Sequence, residues 1–216
     1  MKWILFALTL SLAACASTRQ DRLDRDDRVA EQVRHQDLAY CEGLMADPVL
    51  DPLRAKTLID LGGGIEPSPA DTAHAPEIRF EMISDRAWVT DHERSLIAYW
   101  VSRDQLCQRR LQASEQRLGR TALAAHHAAV ARAESALRAP LLSGEWNWGQ
   151  YNVARRSLLT QARRLDAEIR LAQRAGDATD AARVQRRAAA ELDEQLFRQR
   201  LSMVQLGAAM RGPQAQ

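Results

Sequence analysis

The sequence predicts an all-α protein, an elongated bundle of antiparallel helical hairpins with one long irregular loop rich in proline and glycine. Three observations carry this prediction. Apolar residues recur every three or four positions over several long segments, which is the periodicity of a buried helical face. A capping box and several helix breakers mark the ends of those segments. The densest group of turn residues lies within residues 47–89.

The first helix is predicted over residues 29–46, because apolar residues there lie at near-helical spacing until Asp47-Pro48 ends the pattern. Residues 15–28 are small and then highly charged, so we expect a tether that leads into this helix. Residues 47–89 form the irregular loop, since the density of proline and the run Gly62-Gly63-Gly64 exclude a long helix. A loop of this length is often functional or mobile.

A second helix is predicted over residues 90–139. It begins at the capping box Thr90-Asp91-His92-Glu93 and ends at Pro140. Its second half, Thr121 to Ala139, is rich in alanine, which favours helix and a close approach of neighbouring helices.

A turn with three aromatic residues, Trp146, Trp148 and Tyr151, follows this helix. The three side chains form either a small core at the end of the bundle or an exposed platform that stacks on a glycan or packs against a partner.

The last two helices are predicted over residues 151–175 and 178–206. The break at Gly176-Asp177 is short, so the two helices should form an antiparallel hairpin. Both have wide charged faces and narrow apolar ones, which suits a coiled-coil-like pair or an oligomer seam. Residues 207–216 are predicted to be a disordered tail.

Residues 1–14 have the layout of a secretory signal, with one lysine and then an apolar run too short to span a bilayer. The run ends in Leu12-Ala13-Ala14-Cys15, which resembles the lipobox of bacterial lipoproteins. The resemblance implies cleavage before Cys15, acylation of that cysteine and anchoring in membrane lipid. Ala16, in place of an aspartate, favours the outer membrane by the same resemblance. We therefore expect a lipid-anchored protein of the cell envelope that faces the periplasm; the alternative is an ordinary signal peptide that contains a cysteine.

Cys41 and Cys107 remain as an even pair in an oxidising compartment, which predicts one disulfide. Two buried free thiols are the alternative.

The 30 Lys and Arg residues nearly balance 28 Asp and Glu residues, so the basic surplus of a nucleic-acid-binding protein is absent.

The sequence contains none of the familiar catalytic or cofactor motifs. Gly62-Gly63-Gly64 is read as a flexible turn, because no Lys-Ser/Thr follows it. His126 and His127 point about 100° apart on a helix and cannot readily share one ion, so we interpret them as surface or seam residues. No cofactor and no metal are predicted.

A second resemblance covers most of the chain beyond the leader. It is carried by Asp47-Pro48 with Pro52-Leu53, by the Thr90 cap with Trp100, Arg103 and Cys107, and by Gly144-Glu145-Trp146 with Gly149, Tyr151 and Asn152. These look like patterns in uncharacterised helical exported proteins of proteobacteria, and they imply architecture and the paired cysteines, not an activity.

We expect a non-catalytic structural or protein-interaction module with an envelope protein, or a second copy, as its partner. The alternative is a binder or inhibitor of an envelope enzyme such as a lysozyme-type hydrolase.

Overall fold

The computed structural model describes residues 25, 28–59, 78–175 and 178–210, and in this range the side chains of 178, 200 and 203–210 are left out. All regular structure in these residues is helical, which confirms the predicted all-α class. The predicted leader with Cys15, the triglycine at 62–64 and residues 211–216 lie outside the described residues.

Two short helices and a single 3-10 turn lie among five longer helices in the described residues. The elements are α1 (28–45), a 3-10 turn (Pro48–Leu50), α2 (Asp51–Arg54), α3 (Phe80–Ser84), α4 (Asp91–Arg117), α5 (Thr121–Leu142), α6 (Trp148–Arg174) and α7 (Ala178–Met210). The region predicted as irregular, 47–89, therefore contains three short helical elements.

Reciprocal caps begin two of the long helices. At α4 the Thr90 hydroxyl accepts from the Glu93 amide at 3.2 Å, and the Glu93 carboxylate accepts from the Thr90 amide at 2.8 Å. This confirms the predicted capping box. At α6 Asn147 and Gln150 form the same arrangement at 2.9 Å in both directions, so this helix begins at Trp148 and not at residue 151.

The single helix predicted over residues 90–139 is wrong, because the chain breaks after Arg117. Gly119 has a φ of +71°, and the Arg120 amide donates to the Glu115 carbonyl at 2.8 Å. This is a Schellman motif, which needs a residue with positive φ and is usually built on glycine. The alanine-rich half is thus a separate helix, α5, which folds back along α4.

Pro140 does not end α5, which continues to Leu142. A proline ring fits the φ of a helical residue, and here it removes only one N–H donor near the helix end. The termination signal is Gly144, with a φ of +76°, in a second Schellman motif. The predicted start of the tail is also wrong in part, since α7 extends through residues 207–210 to Met210.

Helix α5 is central, because it packs against α4, α6 and α7. Helix α1 runs antiparallel to α4, as the contacts of Cys41 with Cys107 and of Asp37 with Arg110 require. Helices α6 and α7 form the predicted hairpin, with Arg164 and Glu191 in contact at 2.7 Å.

These directions give the molecule two distinct ends. At the entry end, the continuous described part of α1 starts at residue 28, and the ends of α4 and α6 and the start of α5 lie beside it. At the far end, α4 and α6 begin and α5 ends, with α2 and α3 packed against them. The chain therefore enters the bundle at the end opposite to the short helices.

Candidate functional site

The aromatic turn lies in the core. Trp146 is 5% exposed, and Trp148 and Tyr151 are fully buried. The rings of Trp148 and Tyr151 meet edge to face, with their centroids 6.0 Å apart. An exposed platform at these residues is therefore wrong, and the alternative of a small core at the end of the bundle is confirmed.

The tight approach of α3 to the start of α6 explains this burial. The Gly149 amide donates to the Asp85 carbonyl at 2.7 Å, and the Trp148 amide donates to the Ala87 carbonyl at 3.1 Å. A Cβ on Gly149 would lie 2.6 Å from the Asp85 carbonyl oxygen and closer still to that of Ile83. Only glycine lets the segment before α4 cover the aromatic turn.

A buried charged group, the Trp100 cluster, occupies the centre of the far half of the bundle. Each of three helices contributes two residues spaced by four: Trp100 and Asp104 from α4, Glu134 and Arg138 from α5, and Tyr151 and Arg155 from α6. The guanidinium carbons of Arg138 and Arg155 lie 4.6 Å and 5.0 Å from the centroid of the Trp100 ring. Both cations therefore contact this indole by cation–π geometry.

Ion pairs balance the charges of the Trp100 cluster. Glu134 accepts from Arg155 at 3.0 Å and from Arg138 at 3.3 Å, and Asp104 accepts from Arg138 at 2.9 Å. Burial alone would raise the pKa of Glu134, but the positive charges of Arg155 and Arg138 outweigh it and hold the pKa below its ordinary value. The carboxylate stays ionised, as expected of a structural ion pair and not of a general acid.

The Trp100 cluster also fixes the segment after α2. Arg155 donates to the Leu58 carbonyl, and Asn152 donates to the carbonyls of Lys56 and Met82, both at 2.8 Å. Thr57 completes the contact by donating to Asn152 at 2.7 Å. These bonds join the segment 56–58 and α3 to the buried face of α6.

The two histidines lie at the seam between α5 and α6, which the sequence left open as surface or seam. His126 is 1% and His127 2% exposed. Nε2 of His126 donates to the Ala162 carbonyl at 3.1 Å, and Nε2 of His127 donates to the Asp166 carboxylate at 2.9 Å, because these oxygens can only accept. The histidines thus have different partners, in agreement with their predicted divergence.

Asp166 links His127 to a second set of buried charges. Arg170 donates to Asp166 at 2.6 Å and lies 3.7 Å from Glu115 of α4. Burial would raise the pKa of Asp166, but the hydrogen bond from His127 and the charge of Arg170 lower it. Burial also lowers the pKa of His126, and the neighbouring His127 adds to this effect. This set therefore favours an ionised Asp166 and a neutral His126.

The predicted disulfide is present in the structure, where Sγ of Cys41 and Sγ of Cys107 lie 2.01 Å apart. It joins α1 to α4 across 66 residues of sequence. Both cysteines are fully buried in the main hydrophobic core. The bridge brackets the connecting segment between α1 and α4, as the sequence predicted.

Two pairs of exposed apolar side chains lie elsewhere among the described residues. On α7, Phe197 is 62% and Leu201 47% exposed, one turn apart. On the connecting segment at the far end, Phe80 is 77% and Trp88 56% exposed. Apolar groups this exposed on ordered elements are candidates for contact with a partner.

Among the described residues, no three His, Cys, Asp or Glu side chains come together as metal ligands. No helix in that same part of the chain has both the length and the apolar character to cross a bilayer. No family model matches the chain, and neither a curated protein nor a solved structure matches it.

Proposed function

We propose that this protein is a lipid-anchored, non-catalytic interaction module of the cell envelope. The observation that carries the proposal is the pair Phe197 and Leu201, which are exposed on a long helix whose opposite side, with Ala181, Ala188 and Leu192, is buried. The buried charges found in the bundle, by contrast, have partners inside the protein, so they support its architecture. A helix face of this kind suits assembly with another protein.

Site-specific photo-crosslinking in intact cells tests the interaction. A crosslinker at position 197 should capture a partner. A second crosslinker, at position 194, should capture the same partner, and the double variant Phe197→Ser with Leu201→Ser should abolish this capture. The double variant should leave the thermal unfolding of the protein unchanged. Leu171→Ser is the matched control, because Leu171 is 70% exposed on α6. If position 197 captures nothing, or if the control has the same effect as the double variant, the proposed role of α7 is wrong.

The lipid anchor rests on the sequence Leu12-Ala13-Ala14-Cys15. Cells supplied with labelled palmitate should incorporate the label into the protein, and Cys15→Ser should abolish it. The double variant Cys41→Ser with Cys107→Ser should keep the label, since those cysteines form the disulfide. Label on the Cys15→Ser chain would contradict the anchor and the proposed outer-membrane localisation with it.

A second candidate, a binder or inhibitor of an envelope enzyme such as a lysozyme-type hydrolase, is favoured by Phe80 and Trp88. Phe80 begins α3 and Trp88 follows it. Between them, Asp85 is fixed to α6 through Gly149 and to the segment after α2 through its ion pair with Lys56 at 3.0 Å. A rigidly held aromatic side chain loses little conformational entropy on binding. Trp88→Ala should abolish inhibition of such a hydrolase without changing the stability of the protein; a full-length protein that never inhibits would exclude this candidate.

A further inference from the structure

The outward side of α7 forms one continuous exposed stripe. Its residues are spaced by three or four, so they share one face of the helix. We call these residues the α7 outer face, and all seven are exposed: Thr179, Arg183, Arg186, Ala190, Asp193, Phe197 and Leu201. The opposite side of α7, with Ala181, Ala188 and Leu192, is buried in the bundle.

Two charges of this face have no partner in the part of the chain that the structure describes. Arg186 and Asp193 make no ion pair or hydrogen bond with the described residues, whereas Arg183 is paired with Asp180 and Glu194 with Arg198. Arg186 and Asp193 are exposed and lie about two helical turns apart, on either side of Ala190. The face therefore has a basic half, an alanine and then an acidic and apolar half.

This order is self-complementary when the helix is turned end over end. We propose that a second copy of this chain docks on the α7 outer face, with the two α7 helices antiparallel and crossing at Ala190. Arg186 of each copy then meets Asp193 of the other, Arg183 meets Phe197, and Thr179 meets Leu201. This inference rests on the proposed interaction role of α7 and names its partner.

Both the charges and the side-chain sizes favour this arrangement over a parallel one. In parallel register Arg186 would face Arg186 and Asp193 would face Asp193, and like charges that face each other are destabilising. Ala190 is small, so the helices can approach closely at the crossing point. An arginine over the face of Phe197 would add a cation–π contact on each side.

Charge exchange in the full-length protein, purified in a non-ionic detergent, tests the pairing by sedimentation velocity across the micromolar range. Arg186→Asp and Asp193→Arg should each weaken self-association by about tenfold, because two attractive contacts become repulsive in the dimer. The chain that carries both substitutions, and an equimolar mixture of the two single variants, should both recover the dimer. Arg132→Asp is the matched control, since it reverses an exposed charge on α5 outside this face and should leave association unchanged.

The direction of the helices is tested by cysteine crosslinking between copies. Thr179→Cys in one copy should form a disulfide with Leu201→Cys in the other, and neither variant should crosslink to itself efficiently. Any one of three results would overturn the inference: a wild-type protein that stays monomeric, a dimer whose stability does not change with the exchanged charges, or efficient self-crosslinking at position 201. Capture of a different protein at position 197 by a monomeric chain would also overturn it, while the proposed interaction function would stand.

Discussion

Replacing Glu134 by glutamine should destabilise the fold strongly. Glu134 is 1% exposed and accepts from Arg138 at 3.3 Å and from Arg155 at 3.0 Å. Glutamine has nearly the same shape, so the substitution removes the charge and leaves little cavity. After this substitution, Asp104 is the one carboxylate of the Trp100 cluster left to balance the two guanidinium groups.

The size of the effect follows from this burial. Removing one partner of a buried ion pair costs about 3–5 kcal/mol, because the remaining charge is left without compensation. A typical domain has a net stability of about 5–15 kcal/mol, so the loss should be visible as a large fall in the urea midpoint. Urea unfolding at neutral pH, followed by far-UV circular dichroism, measures it. Glu194→Gln is the matched control: its carboxylate is 60% exposed, and its pair with Arg198 should contribute no more than about 0.5 kcal/mol.

The pH dependence of the stability tests the ion pairs of Glu134 in a second way. The pKa of Glu134 is lowered in the folded state, so its stabilisation is present above the ordinary glutamate pKa of about 4.3 and is lost as the pH falls through the folded value. Glu134→Gln should therefore flatten the acid side of the stability profile. If the variant loses less than about 1 kcal/mol at neutral pH, the charges of the Trp100 cluster are not coupled as the distances indicate.

Reduction of the Cys41–Cys107 bridge, which spans 66 residues, should lower the free energy of unfolding by about 4 kcal/mol, because the unfolded chain gains loop entropy. Urea unfolding with and without reductant measures this difference. Equal urea midpoints, with both thiols shown to be free by titration, would contradict the prediction. Gly149→Ala should destabilise by about 1–3 kcal/mol because the added Cβ meets the carbonyls before α4, whereas Gly43→Ala, in a helix with open space around it, should be neutral or stabilising by up to about 1 kcal/mol. His126 has a lowered pKa, so stability should fall as the pH drops below about 6.5, where the unfolded chain takes up a proton that the folded chain does not. His126→Gln should reduce that fall in a thermal-melt series, and an unchanged profile would exclude His126 as its cause.

The long helices could be predicted because their signals are local. The Thr90 capping box, the heptad-like spacing of α6 and the short break at 176–177 each depend on a few neighbouring residues. The break at Gly119 was missed because an isolated glycine in a helical pattern is ambiguous, and only the folding back of α5 requires it to adopt a positive φ. Pro140 misled because a proline removes only one helical N–H donor and does not always end a helix, and α5 continues for two residues beyond it.

The buried charges could not be predicted as a group. Glu134 and Arg138, like Asp166 and Arg170, appear in sequence as ordinary helix-surface pairs spaced by four. Their burial depends on which faces of α4, α5 and α6 meet, and those faces are distant in sequence. The position of Asp166 gave one usable signal for its burial. It directly follows Leu165 and lies three residues before Ile169, and both of these apolar residues are fully buried. Likewise, the position of Trp148 depends on its hydrogen bond with Ala87 in the segment after α3, for which the sequence has no strong pattern.

Lipid anchoring and pairing through α7 constrain each other. Antiparallel α7 helices that cross at Ala190 place Ala178 of one copy opposite position 202 of the other, so the two entry ends lie about 36 Å apart along the helix axis. The chain from Cys15 to residue 28 reaches at most about 45 Å when fully extended. In a pair standing upright on a bilayer, the second tether would have to be stretched to most of its full length, which costs conformational entropy, so a pair with both anchors in one bilayer is favoured to lie along the surface. A single copy can stand upright, with Phe80 and Trp88 at the end that points away from the membrane. We therefore expect the proposed pair to serve self-assembly, and the proposed binding of an envelope enzyme through the far end to use the unpaired chain.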